Sequence, residues 1–253
     1  MKVPITRITR ADLDAENYYK PSASLNVNGH IQMDAGLGTV RFRGDVKATH
    51  SILAASGSGI RAGSGITAGW DITAGGDITA GRDIRAGGDI TAGRDITAGW
   101  VIRAGRDITA GRDIRAGGDI TAGRDIRAGG DITAGRDITA GWDITAGRDI
   151  RAGGDITAGR DIRAGGDITA GRDITAGWDI RAGSGIEAGA AIDAGWGIRA
   201  GLQIYAQKTI SAKMRIFAGG CTWKIPSPEE MTITASRIDG VVAYGTVKLL
   251  AAE

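Results

Sequence analysis

The chain has 253 residues with 31 Lys and Arg against 29 Asp and Glu, a net charge of +2, which argues against the strong electrostatic footprint of a nucleic-acid binder. Two Phe, four Tyr and one cysteine, Cys221, exclude a large aromatic core and an intramolecular disulfide framework. No run of about 18 apolar residues offers a membrane span, and Met1-Lys2-Val3-Pro4 leads into the polar stretch 7–16 with no signal peptide, so a cytoplasmic or phage-particle protein is expected.

Residues 1–39 lack any short repeat. They carry Tyr18-Tyr19-Lys20-Pro21 and then alternate at Leu25/Val27 and Ile31/Met33, a strand signal. Val40, Val46 and Ile52 introduce a six-residue step, interrupted by an insertion at 55–59. From Ile60 to Ile216 an isoleucine then falls at every sixth position, each followed two residues later by an alanine, Ala62 through Ala218. Most hexads resemble Ile84-Arg85-Ala86-Gly87-Gly88-Asp89. An unbroken short period marks a repeat architecture in which each unit buries its apolar face against the next.

The hexad itself specifies the strand. Ile and Ala, two apart, point to one side of an extended segment, while Asp before Ile and Thr or Arg after it point to the other. A four-residue strand and a two-residue corner account for all six positions. Glycine holds the first corner position without a break from Gly63 to Gly201, which predicts a backbone conformation that side chains resist. A helix would pay about 1 kcal/mol for each glycine, and the period would smear Ile around it. Collagen needs glycine at every third residue.

A slower rhythm sets the turn. Segments 113–148 and 149–184 are nearly identical, and Trp70, Trp142, Trp178 and Trp196 differ by multiples of 18, with Trp100 the exception. The predicted fold is all-β: a single-chain parallel β-solenoid, right-handed and triangular in section, with three hexads (18 residues) per turn. Those four indoles would share one corner, a candidate interaction ladder, with Arg106, Arg124 and Arg160 interleaved for cation–π stacking. Such a ladder either stiffens the coil or meets a carbohydrate or a partner rod.

After Ile204-Tyr205, Ile210-Ser211 and Ile216-Phe217 the repeat decays, and Cys221-Thr222-Trp223-Lys224-Ile225-Pro226 breaks it before short alternating strands in 231–252. The expected regions are an N-terminal cap or assembly segment, 1–39, the solenoid, 40–218, and a C-terminal cap or assembly segment, 219–253. Solenoid ends expose strand edges and apolar core unless covered. Tyr18, Tyr19, Trp223 and Ile225 are therefore candidate assembly residues.

The surface offers little catalytic chemistry. In an 18-residue turn Asp71, Asp89, Asp107, Asp125, Asp143, Asp161 and Asp179 form one column ~4.8 Å apart. Arg82, Arg94, Arg106, Arg85, Arg115 and Arg127 supply counter-charges. A solvated Asp/Arg lattice, with Asp also accepting from corner amides, is the expected role; shared calcium ions are a weaker alternative. Threonine columns of the ice-binding kind are interrupted by Arg. His30 and His50 are the only histidines, the run has no insertion, and no triad, carboxylate pocket or metal-spaced Cys/His cluster appears. No catalytic residue, metal or cofactor is expected.

Segments such as Gly76-Asp77-Ile78-Thr79-Ala80 and Gly88-Asp89-Ile90-Thr91-Ala92 resemble the G-x-I-x-A strands of bactofilins, over roughly residues 40–218. That resemblance implies a polymer-forming cytoskeletal protein on a three-sided right-handed β-helix. The Ala92-Gly93-Arg94-Asp95-Ile96 motif is also similar to repeats of filamentous haemagglutinin-type adhesins. The expected function is structural: a stiff spacer or a self-assembling filament or scaffold subunit that associates with itself end-to-end or laterally. The alternative is a surface-binding module, an adhesin or phage appendage, recognising a ligand along one face.

Overall fold

A computed structural model describes residues 3–251. Apart from two short 3-10 turns, Arg10–Asp12 and Glu229–Met231, every regular element among them is a strand. The chain divides into two compact units, one up to Gly129 and one from Gly130. Both are parallel β-solenoids.

Each hexad of the repeat forms a three-residue strand, Ile-x-Ala, whose ends are buried and whose middle residue faces out. In the first unit Ile66–Ala68, Ile72–Ala74 and Ile78–Ala80 make one turn. They pair in parallel with Ile84–Ala86, Ile90–Ala92 and Ile96–Ala98. The register sets Ile66 beside Ile84, Ile72 beside Ile90 and Ile78 beside Ile96, one 18-residue turn apart. The second unit repeats the arrangement, with Ile132 beside Ile150, Ile138 beside Ile156 and Ile144 beside Ile162. Three strands and three corners per turn give the triangular section that the tryptophan spacing predicts.

The core is a set of isoleucine columns flanked by alanine columns. Nearly every repeat isoleucine is 0% exposed, and the alanines are buried beside them. Burying one such side chain contributes about 1.5–3 kcal/mol, so a thin interior suffices because it is continuous. Hydrogen bonds between turns are equally regular: the Ile78 amide donates to the Asp95 carbonyl at 2.9 Å, and the Gly81 amide to the Ala62 carbonyl at 3.0 Å.

The reason for the corner glycines differs from the sequence expectation. Positive φ occurs at Asn17 and at Gly29, Gly36, Gly38, Gly57, Gly219, Gly240 and Gly245, none of them among the first-corner glycines from Gly63 to Gly201. What excludes a side chain there is space. A Cβ on Gly81 would lie 2.1 Å from the Gly63 carbonyl oxygen of the turn before, and one on Gly195 would lie 1.9 Å from that of Gly177. Where the position becomes Lys213, the break between strands disappears. Thr209–Phe217 is one nine-residue strand that bends there, pairing first with Ile192–Ala194 on one side and then with Ile198–Ala200 on the next.

Each flank joins the ladders of its own unit. Ile5–Ile8 pairs with His30–Met33, which pairs with Ile52–Ala54, and Leu25–Val27 pairs with Val46–Ala48. At the other end Thr232–Ala235 pairs with Ile204–Ala206 and Thr246–Leu249 with Thr232–Ala235. Arg237–Tyr244 pairs with Thr209–Phe217.

Candidate functional site

Aspartate turns a column of like charges into a clamp between turns. Asp71 Oδ1 accepts the Asp89 amide at 2.9 Å, and Asp89 Oδ1 accepts the Asp107 amide at 3.0 Å. The same bond, from the Gly65 amide, holds the Asp45 carboxyl below the usual carboxylate range, with Lys47 adding to the effect. Asp137 is lowered first by the Asp155 amide, then by Arg172. Arginine neutralises the lattice in two ways. A strand arginine folds back on the aspartate two residues earlier, as Arg115 does on Asp113 and Arg127 on Asp125, both at 2.6 Å. A corner arginine spans two turns: Arg106 reaches Asp71 and Asp89, each at 3.2 Å, and Arg172 reaches Asp137 at 3.1 Å and Asp155 at 3.2 Å. Among the described residues no group of three His, Cys, Asp or Glu is placed to hold a metal ion.

The tryptophan corner is a stack in the second unit. Backbone hydrogen bonds run from Arg160 to Trp142, from Trp178 to Arg160 and from Trp196 to Trp178. The Arg160 guanidinium carbon sits 4.6 Å from the Trp142 ring centroid and 5.2 Å from that of Trp178. Trp178 and Trp196 stack at 5.4 Å with planes 11° apart. Arg160 thus lies between Trp142 and Trp178, and Trp178 is engaged on one side by Arg160 and on the other by Trp196. Trp70 belongs to the first unit, where its corner continues as Gly88 and Arg106. Its indole instead meets His50 at 4.6 Å and His30 at 5.7 Å, edge-on. Sequence reasoning treated the two histidines only as too few for catalysis. Their separation of one enlarged turn, ending at Trp70, was the signal available.

The two flanks finish differently. At the N-terminal end residues 10–20 fold over the first strand of one ladder. The Tyr19 amide donates to the Arg41 carbonyl at 2.9 Å, and the Arg41 amide to the Asn17 carbonyl at 2.8 Å. The Tyr19 ring rests on Phe42 at 5.3 Å, and its burial raises the hydroxyl above the usual tyrosine range. Arg43 lies 4.7 Å over the Tyr18 ring. Asp12 accepts the Thr9 amide at 2.8 Å, which lowers its carboxyl. Ile8, Leu13, Leu25 and Leu37 are buried. The ladder that begins at Gly38–Phe42 is covered in this way, with Tyr18 and Tyr19 built into the cover. Ile5–Ile8 and Leu25–Val27, by contrast, each pair along one edge only among the described residues, and Ile5 is exposed.

At the C-terminal end the apolar layer lies open. Val247 stands in register with buried Ile233, Ile238 with buried Ile210, and Val242 with buried Ile216. These are core positions, yet Val247 is 46% and Leu249 63% exposed, while Ile238 and Val242 are half-buried. Among the described residues Thr246–Leu249 and Arg237–Tyr244 each pair along one edge only. Trp223 and Ile225, both singled out by the sequence, are exposed near this end of the chain, Ile225 at 96%.

Among the described residues no helix is long and apolar enough to cross a membrane. In comparisons with known proteins, no family model matches the chain, and no curated protein and no solved structure matches it.

Proposed function

We propose that the chain is a structural β-solenoid, a stiff scaffold or spacer without catalytic activity, that joins a second copy of itself through its C-terminal end. The observation behind this reading is the open aliphatic layer at Val247, Leu249, Ile238 and Val242. A solenoid terminus needs a polar cover to stay apart from other copies, and one-sided strand edges template further pairing. A head-to-tail filament needs two complementary ends. Segment 10–20 covers one N-terminal ladder, and Ile8 and Leu25 in the other two end strands are buried, whereas Val247 and Leu249 are exposed. This difference favours two C-terminal ends meeting about a two-fold axis. The hexad style shared with bactofilins supports self-association in general.

Light scattering and negative-stain electron microscopy of the full chain test the reading. A closed dimer is expected, and the double substitution Val247→Asp and Leu249→Asp is expected to give monomers with unchanged circular dichroism. Wild-type monomers at micromolar concentration would overturn the joint. Long filaments would overturn the two-fold closure and favour end-to-end stacking.

A further inference from the structure

A groove of about 580 Å³ runs along the first unit, from Tyr18 past Arg41, Arg43 and Arg61 to Thr79 and Thr97. Its arginines depart from the lattice. Arg41 and Arg61 stand side by side on paired strands, ~4.8 Å apart along the ladder. Other neighbouring arginine pairs, Arg85 with Arg103 and Arg163 with Arg181, have an aspartate two residues before at least one member. Thr39 and Gly59 hold those positions here. Like charges set directly across a ladder repel, so the pair is poised for an external anion. Arg43 adds a third guanidinium from the corner, held over Tyr18.

The rest of the groove suits a sugar chain. Gly63, Gly81 and Gly99 give a floor without side chains, and Thr79 and Thr97 contribute outward hydroxyls. Trp100, next after Gly99, is 61% exposed, with Arg82 5.6 Å from its ring centroid. Planar guanidinium forks hold carboxylates and sulfates in bidentate fashion, and an exposed indole offers an apolar face to a pyranose ring. Nucleic acid fits less well. The net charge is only +2, too small a footprint for a surface that tracks a phosphate backbone.

We propose that this groove binds an acidic oligosaccharide, its carboxylates or sulfates held by Arg41 and Arg61 and its sugar rings lying over the Thr79–Thr97 floor toward Trp100. The proposal is independent of the C-terminal joint. Calorimetric titration of the full chain would use oligogalacturonate for carboxylates, a heparin-derived octasaccharide for sulfates, a neutral dextran oligomer and single-stranded oligothymidylate. Binding to at least one acidic sugar is expected, with none to dextran and a weaker response to the oligonucleotide. Arg41→Gln with Arg61→Gln should weaken the acidic sugar by more than about tenfold, whereas Arg85→Gln, on a different ladder, should leave it unchanged. Melting curves confirm that each variant is folded. Because Arg41 also touches Tyr18, Arg61→Gln alone provides a second reading and should weaken binding by itself. No binding of either acidic sugar, equal loss in Arg85→Gln, or preference for the oligonucleotide would overturn the assignment.

Discussion

Asp161 Oδ1 accepts the backbone amide of Asp179 at 2.9 Å, one turn further along the second unit. The other oxygen of the same carboxylate takes the guanidinium of Arg163. One side chain therefore ties two turns together and neutralises itself, while only 4% of its residue surface remains exposed.

Removing that guanidinium leaves a buried carboxylate with its amide bond but no counter-charge. Arg163→Gln should destabilise the chain by about 1–3 kcal/mol. Arg237→Gln breaks a pair with Asp239 that lies in solvent and should produce no measurable change. Urea midpoints of the two variants, measured side by side, check the contrast.

Glycine at the corner is a matter of room, so substitutions should sort by distance. Gly81→Ala places a methyl group 2.1 Å from the Gly63 carbonyl oxygen, which is fixed backbone. Opening that turn should cost at least about 1–3 kcal/mol. Gly65→Ala meets nothing nearer than 3.4 Å and should melt within a degree or two of the parent. Gly65 stands before Ile66, outside the corner pair, so it serves as the control. An equally small loss in both alanines would mean that the close carbonyl does not govern Gly81.

Acid should loosen the aspartate clamps. Asp45 and Asp137 have folded pKa values below their ordinary one, so each contributes stability that is fully present above the unfolded value of about 3.9 and is lost as pH falls through the folded value. The melting temperature should be nearly flat from about pH 7 to pH 5 and fall below about pH 4. Asp137→Asn should soften that acid slope. A melting temperature that rises below pH 4 would contradict the sign.

The indole stack should be visible spectroscopically. Trp178→Ala separates Trp196 from Arg160 and removes the 5.4 Å ring pair. We expect loss of the near-ultraviolet exciton signal and about 0.5–1.5 kcal/mol of stability beyond the buried area. The oligomeric state should not move, because the proposed joint lies elsewhere.

The ladders were legible because the side-chain alternation of a strand and the six-residue step agree at every hexad from Ile60 to Ile216. Tryptophans separated by multiples of 18 then counted the sides. Other features depend on neighbours a full turn away. Nothing local to Gly81 reveals the carbonyl of Gly63 behind it. Tyr18 and Tyr19 stand out in the sequence, but their attachment to Arg41 and Phe42 depends on Leu13 and Leu37, buried residues outside the hexad frame. At the other end the alternation of Val247 and Leu249 is plain to read. That the layer above them is left uncovered follows only from the pairing of Thr246–Leu249 with Thr232–Ala235.

The hexad and the turn count in different units, and this separates what the interior tolerates from what the exterior records. Within either unit, excising one hexad would still bring isoleucine over isoleucine, since all three sides obey the same rule. The outer markings would slip by a third of a revolution: Arg160 would leave the gap between Trp142 and Trp178, and Arg172 would part from Asp137. Losing a whole 18-residue turn would shorten the coil and keep its columns aligned. The inside is indifferent to which side it is on, whereas the surface carries an address that only whole turns preserve.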